Sequence, residues 1–96
     1  MYKLTNKTDA LGRPIRLGGF YAYVRQDKYS HSNRIVTAEH ETKTGVTVRV
    51  LLEARVTYEL DKRAGSFREV QDTSVNIMSC KLFPVSAEVV KNLQGV

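Results

Sequence analysis

The stretch that decides the fold is residues 46–60, which read VTVRVLLEARVTYEL. Its even-numbered positions are all apolar, and its odd-numbered positions are mostly polar. Apolar residues at every second position are typical of a β-strand with one buried face, because successive side chains of a strand point to opposite sides. On a helix the same residues would be spread around the whole surface. The stretch therefore predicts one long strand whose even-numbered residues face the core.

The predicted strand is too long to be straight in a small domain. Strands usually have about 5–6 residues, and at about 3.3 Å per residue this one would span about 50 Å. It must bend in a chain of 96 residues, and we expect the bend at Ala54, the smallest residue of the buried face. A curved strand shared by two sheets favours a small β-barrel. We therefore expect an all-β fold with a long bent central strand.

The rest of the sequence predicts that residues 1–96 form one domain built mainly from further strands. Residues 1–8 are polar and are expected to form a lead-in or an edge strand. The polar stretch 61–66 predicts the turn of an extended central hairpin. Ser86 is a suitable N-cap and predicts a short C-terminal helix over residues 86–94.

A second strand is predicted over residues 20–25, where apolar and aromatic residues again alternate. We expect its even-numbered residues in the core. Tyr21 and Tyr23 are then expected on the outer face or at the rim of the barrel. Residues 26–33 are polar without a strand pattern and predict a long loop.

Composition limits the class of protein. The chain is 42% apolar and 26% charged, which is typical of a globular domain and not of a disordered one. No apolar stretch approaches the roughly 20 residues of a membrane span, and the N-terminus has no signal-peptide core. We therefore expect a cytoplasmic protein without a membrane partner. The single cysteine, Cys80, excludes an internal disulfide and a multi-cysteine metal site.

The positive charge is concentrated in the first third of the chain. The net charge is +5; residues 1–36 contain seven Lys or Arg against two Asp or Glu, whereas residues 37–96 contain eight of each. Such an imbalance favours an anionic partner, such as nucleic acid, a nucleotide or an acidic protein surface. The alternative is that the charge only keeps a small protein soluble.

Residues 9–23 follow the pattern DxLGRPIxxGxxxAY. This pattern resembles the opening of small SH3-like barrels. Residues 34–38 followed by 45–48 resemble the next strand pair of the KOW/Tudor type, and residues 82–85 are similar to the last strand of short proteins from tailed bacteriophages. The resemblance implies a small SH3-like β-barrel. It also implies a phage accessory protein that acts in the cytoplasm of the infected bacterium.

The sequence contains no motif for catalysis or for a cofactor. There is no Gly-rich phosphate loop, and His31 and His40 are not spaced as metal ligands are in known zinc motifs. Candidate nucleophiles occur without a recognisable base and orienting group. We therefore expect a protein that is not an enzyme and that needs no cofactor and no metal.

Basic and aromatic residues alternate along the N-terminal third. These candidate binding residues are Arg13, Arg16, Tyr21, Tyr23, Arg25, Lys28, Tyr29 and Arg34. On small barrels, exposed aromatic rings stack on bases and neighbouring cations contact phosphates. The first hypothesis is therefore weak, salt-sensitive nucleic-acid binding through this face.

Two alternatives remain open. The same residues, with the loop 26–33, could dock on a host enzyme or defence factor and inhibit it. A third hypothesis is sequestration of a nucleotide-like signal in a pocket between subunits. Separately, Leu51 is apolar among charged residues on the predicted outer face, which marks it as a candidate contact in a homo-oligomer.

Overall fold

The computed structural model describes residues 3–26, 30–57 and 67–94. Most of these residues lie in strands, and one short helix, α1, covers Ala87–Gln94. The all-β prediction and the C-terminal helix are therefore confirmed. The strands, in chain order, are β1 Lys3–Thr8, β2 Pro14–Leu17, β3 Phe20–Gln26, β4 Ser30–Glu41, β5 Val46–Thr57, β6 Arg68–Glu69, β7 Ser74–Ile77 and β8 Phe83–Val85.

The strands form two antiparallel sheets. β1 and β2 make a two-stranded hairpin, so the N-terminal residues form a strand as one of the two predictions expected. The larger sheet has the order β6-β5-β4-β3-β8, and β7 pairs with β5 beyond the end of β6. Among the described strands, no pairing joins β6 to β8 and closes this sheet into a barrel. The predicted turn at 61–66 lies outside the described residues.

The long central strand is confirmed as β5, but one of its residues is extra. Ile35 of β4 pairs with Leu52, while its neighbour Val36 pairs with Val50, so Leu51 has no partner in the ladder. An extra residue of this kind is a β-bulge, and it reverses which side of the sheet the following residues face. The even-numbered residues before the bulge therefore face one side of the sheet, and Leu52, after the bulge, faces the other. The sequence predicted one face for all even-numbered residues.

The irregularity also lies three residues before its predicted position. The sequence placed the bend at Ala54, but Ala54 pairs regularly with Asn33 of β4. A small side chain is not required for a bulge, because the bulge changes the backbone register and not the side-chain volume. Residues 58–60 of the predicted strand lie outside the described part of the chain.

Each face of the larger sheet carries its own core. The first core faces the β1–β2 hairpin and contains Ile15, Tyr21, Tyr23, Val36, Ala38, Val46, Val48, Val50 and Leu82. The second core faces α1 and contains Ile35, Leu52 and Val90, with Phe20, Ala22, Leu51, Phe67, Val85 and Leu93 packed around them. The sheet is thus a middle layer between a hairpin and a helix.

The prediction for the two faces of β3 holds for Phe20 and Ala22, which pack against the second core, but is wrong for the two tyrosines and for Val24. Tyr21 and Tyr23 are only 4% and 5% exposed, whereas Val24 is 57% exposed. The tyrosines can be buried because each hydroxyl has a hydrogen-bond partner: a backbone N–H for Tyr21 and a guanidinium for Tyr23. The prediction that they lie outside is wrong, because the hairpin covers this face of the sheet.

The predicted loop at 26–33 is mostly strand. β3 continues to Gln26, β4 begins at Ser30, and Gln26 pairs with His31. Polar residues occupy this pair of strands because its end is less covered than the middle, so the apolar alternation fades while the backbone pairing continues. In the described residues, no helix is long and apolar enough to cross a membrane.

Candidate functional site

The structure separates the six candidate binding residues that it describes. Three of them, Tyr21, Tyr23 and Arg34, are buried. Arg13, Arg16 and Arg25 are exposed, and Lys28 and Tyr29 lie outside the described residues. The expectation of one continuous exposed basic-aromatic face is therefore wrong for the two tyrosines of β3 and for Arg34.

Arg34 lies in the middle of a buried polar cluster. Its Nη1 donates to the Tyr23 hydroxyl at 3.0 Å. Its Nη2 and Nε lie 3.1 and 3.2 Å from Oε2 of Glu53. Tyr23, Arg34 and Glu53 are direct neighbours across β3, β4 and β5, which explains their alignment. Glu53 was expected on a solvated face, but the bulge at Leu51 turns it toward the covered side.

This cluster pairs the buried charge of Arg34 and does not present a cation to a ligand. Burial alone would lower the pKa of Arg34, but the hydrogen bond to Tyr23 and the charge of Glu53 outweigh burial and raise its pKa above its ordinary value. The guanidinium therefore stays charged and engaged.

The exposed arginines Arg13 and Arg16 are placed by two tight turns. In the first turn, the Asp9 N–H donates to the Arg13 carbonyl at 2.8 Å, and the Gly12 N–H donates to the Asp9 carbonyl at 3.0 Å. Gly12 has φ +80° and is therefore in the left-handed region. It is the residue that a three-residue hairpin loop with a bulge needs in that conformation. Oδ1 of Asp9 accepts the N–H groups of Leu11 and Arg13 and fixes the turn.

The second turn joins β2 to β3. The Gly19 N–H donates to the Arg16 carbonyl at 3.0 Å, and Gly18 has φ +87°, as a type II turn requires at its third residue. The backbone N–H of Arg16 donates to the Tyr21 hydroxyl at 2.9 Å. Arg16 is therefore attached to β3 through a buried side chain.

Both arginines open onto one cleft of about 480 Å³. We call it the hairpin cleft, and it lies between the β1–β2 hairpin and the junction of β8 with α1. The residues that line it are Leu4, Asp9, Arg13, Pro14, Arg16, Gly19, Phe20, Tyr21, Pro84, Val85, Ser86 and Ala87. Cations thus lie on one wall, and a largely apolar wall lies opposite.

Two further contacts define the walls of the hairpin cleft. The Ala10 N–H donates to the Leu82 carbonyl at 2.8 Å, so the hairpin loop is attached to the segment that leads into β8. On the opposite wall, the Ser86 hydroxyl accepts the Val89 N–H and caps α1, which confirms the predicted N-cap. The cleft is therefore bounded by backbone elements that hydrogen bonds hold in place.

The hairpin cleft is suited to an anion. Among the described residues, no carboxylate lies within ion-pair distance of the Arg13 or Arg16 guanidinium. The Asp9 carboxylate also lines the cleft, but its Oδ1 is engaged by two backbone N–H groups. Guanidinium groups bind phosphate and carboxylate through paired hydrogen bonds.

The opposite wall could not be found from the sequence. Phe20, Pro84, Ser86 and Ala87 meet the arginines only because β8 pairs with Phe20–Ala22 of β3. The nearest sequence signal was the capping residue Ser86, which locates a helix start but not its neighbours. Arg25 lies near the other end of β3 and does not line this cleft.

A second depression of about 330 Å³ lies on the α1 side of the sheet. Its walls include Ala22, Val24, Phe67 and Phe83, and Val24 and Phe83 are each more than half exposed. Among the described residues, Arg34 is the one cationic residue in its lining. The Arg34 guanidinium is bound to Tyr23 and Glu53 on the other face of the sheet. This groove suits an apolar partner and not a phosphate.

No metal site is apparent in residues 3–26, 30–57 and 67–94, where no three His, Cys, Asp or Glu side chains come together. Comparison with protein-family models, with curated proteins and with solved structures gives no match for this chain. Function is therefore inferred from the two depressions and their charges.

Proposed function

We propose that this is a non-catalytic binding protein that holds phosphate groups of nucleic acid in the hairpin cleft. The observation that carries the proposal is that Arg13 and Arg16 open onto the same cleft without a carboxylate partner among the described residues. Phe20, which also packs against the second core, lines the same cleft and is its second aromatic residue beside Tyr21. This combination of cation and aromatic ring is what single-stranded nucleic-acid sites commonly use.

The charge distribution supports the same proposal. The β1–β2 hairpin carries Lys3, Lys7, Arg13 and Arg16, and its one acidic residue, Asp9, is buried. Concentrated positive charge steers a polyanion toward one side of a protein and makes its binding sensitive to salt. If the bound nucleic acid extends beyond the cleft, its further contacts are predicted to be Arg25, Lys28 and Tyr29.

The finer class of the fold is also part of the proposal. A small SH3-like barrel of the KOW/Tudor type is supported by the resemblance of residues 9–23 and by the antiparallel order of β3, β4 and β5. A phage origin, with action in the cytoplasm of the infected bacterium, is supported by that resemblance alone. Such a fold can bind nucleic acid or protein, so the cleft and not the fold carries the functional proposal.

The test is fluorescence anisotropy with labelled single- and double-stranded oligonucleotides at about 50 and about 200 mM salt. Arg13→Ala and Arg16→Ala should each weaken binding and reduce the slope of log K against log salt by about 1. The matched control is Arg49→Ala, which removes one positive charge from an exposed residue of β5 outside the cleft.

Two results would contradict the proposal. One is the absence of binding at the lower salt concentration. The other is an equal loss of affinity in Arg49→Ala and Arg16→Ala, because net charge and not the hairpin cleft would then determine binding.

A second candidate function is favoured by the apolar groove beside Val24 and Phe83. Exposed apolar residues around a depression are typical of protein docking sites, which fits a module that inhibits a host enzyme or defence factor. Val24→Glu and Phe83→Glu should then abolish capture of that partner while Arg16→Ala retains it. The reverse pattern would assign the docking to the hairpin cleft.

A further inference from the structure

We propose that the hairpin cleft receives a terminal nucleotide, meaning a phosphomonoester together with its nucleoside. The source could be the phosphorylated end of a strand or a free nucleotide, since both present the same chemical group. The inference rests on the proposed function only in that the same arginines bind phosphate.

The boundary of the cleft favours the end of a ligand over its middle. The hydrogen bond from the Ala10 N–H to the Leu82 carbonyl joins the hairpin loop to the segment before β8, next to Asp9, which lines the cleft. A strand that continues in both directions meets this boundary, whereas a terminal nucleotide can enter with its phosphate first. The volume of about 480 Å³ lies within the range of roughly 300–1,000 Å³ that is usual for small-molecule sites.

The charges favour a phosphomonoester near Arg16. A monoester carries a charge of about −1.5 to −2 at neutral pH, more than the single charge of a phosphodiester. Asp9 lies at the Arg13 turn and lowers the positive potential there. Arg16 lies at the other turn, beside Tyr21, so an anion is attracted most strongly at that end.

The Tyr21 hydroxyl offers a hydrogen-bond donor to a ligand in the hairpin cleft. Tyr21 is 4% exposed and lines the hairpin cleft. Its hydroxyl oxygen accepts the Arg16 N–H, but within residues 3–26, 30–57 and 67–94 no acceptor is found for its own proton. A tyrosine hydroxyl has one proton to donate in addition to the hydrogen bonds that it accepts. A phosphate oxygen in the cleft would accept this proton.

The opposite wall suits the nucleoside. Phe20 is half-buried; its partner on β8 is Val85, and Pro84, the partner of Tyr21, lies next to Val85. An aromatic ring beside apolar side chains can contact a base without selecting its identity. Phosphate recognition on one wall and base contact on the other match the two ends of a single nucleotide.

The experiment compares one single-stranded oligonucleotide with either a terminal phosphate or a terminal hydroxyl, placed in turn at each end. Adenosine monophosphate, adenosine and inorganic phosphate serve as competitors. We expect about tenfold tighter binding when one end is phosphorylated, the gain from one additional charge-assisted hydrogen bond. Adenosine monophosphate should compete better than either adenosine or phosphate.

Two variants locate the effect in the hairpin cleft. Ala87→Phe fills the cleft without changing charge and should abolish the preference for a phosphorylated end. The matched control is Val89→Phe, on the same helix but outside the cleft, which should keep the preference. Tyr21→Phe retains the ring and removes the hydroxyl, both as donor to the phosphate and as acceptor of the Arg16 N–H, and it should reduce the preference while its melting temperature shows that it is folded.

The outcomes separate this inference from the proposed function. Equal, salt-sensitive binding of phosphorylated and unphosphorylated oligonucleotides would overturn the inference and leave the proposed function standing. Binding of adenosine monophosphate without binding of any oligonucleotide would support the inference, assign the source to free nucleotides and overturn the proposed function. If neither adenosine monophosphate nor any oligonucleotide binds, the inference and the proposed function are both overturned.

Discussion

Arg34 shows how a basic residue in a sequence can be assigned to the wrong environment. It looked like a phosphate contact because basic and aromatic residues surround it along the chain. In the sheet it is 8% exposed, between Tyr23 and Glu53 on the neighbouring strands. A charge removed from water must be paired to be tolerated, so the partners decide its role. Those partners are far away in sequence and become visible only when the strands are aligned.

Arg34→Met tests the buried pair. It leaves the Glu53 carboxylate buried without its cation, so we expect a loss of about 3–5 kcal/mol in the free energy of unfolding, measured by urea denaturation. The double variant Arg34→Met/Glu53→Leu should recover most of this loss. Arg49→Met, the same change at an exposed position, should stay within about 0.5 kcal/mol. A loss below about 1 kcal/mol for Arg34→Met would contradict the pairing.

The pH dependence of this contribution follows from the raised pKa of Arg34. A cationic group whose pKa is higher in the folded state stabilises the fold below its ordinary pKa, and that stability is lost only as the pH rises through the folded value. The destabilisation by Arg34→Met should therefore be constant from neutral to moderately alkaline pH. Parallel urea titrations at two such pH values check this, and a decline at the higher value would contradict it.

At the scale of elements, β5 shows what an alternating pattern can and cannot predict. The pattern correctly identified a long strand, because the period of two is a property of the backbone. It could not assign the faces, because the bulge at Leu51 exchanges them. The one signal was the apolar run Val50, Leu51 and Leu52, where strict alternation stops. With both faces of the sheet covered, apolar residues are compatible with either side.

The helix α1 covers the second core with Val90, which is buried, and with Leu93, which packs beside it. Val90 is 3% exposed, and its neighbour Val89 is 46% exposed on the same helix. Val90→Ala removes two buried carbon atoms, and at about 0.8 kcal/mol each we expect a loss of about 2 kcal/mol in unfolding free energy. Val89→Ala makes the same chemical change at the surface and should cost less than about 0.5 kcal/mol. Equal losses in urea denaturation would contradict the docking of α1.

At the scale of the whole molecule, local features were predictable and assembled features were not. Gly12, Pro14 and Gly18 favour by themselves the backbone conformations that the two turns of the hairpin cleft require, and both turns are present. The hairpin cleft needs, in addition, the pairing of β3 with β8 and the contact of Ala10 with Leu82. These contacts join residues about sixty or more positions apart, and no local preference specifies them.

The arrangement of one sheet between two cores predicts how mutations combine. Ile15→Val changes the hairpin side and should cost about 0.5–1.5 kcal/mol, whereas Val90→Ala changes the helix side. Because the sheet separates these residues, their effects on unfolding free energy should add to within about 0.5 kcal/mol in the double variant. Ile15→Val combined with Val48→Ala, two changes within the first core, should depart further from additivity.

If the pair on opposite faces interacts by more than about 1 kcal/mol, the sheet transmits packing changes from one core to the other and the two cores are not independent. The hairpin cleft, with one wall on each side, would then respond to mutations in both.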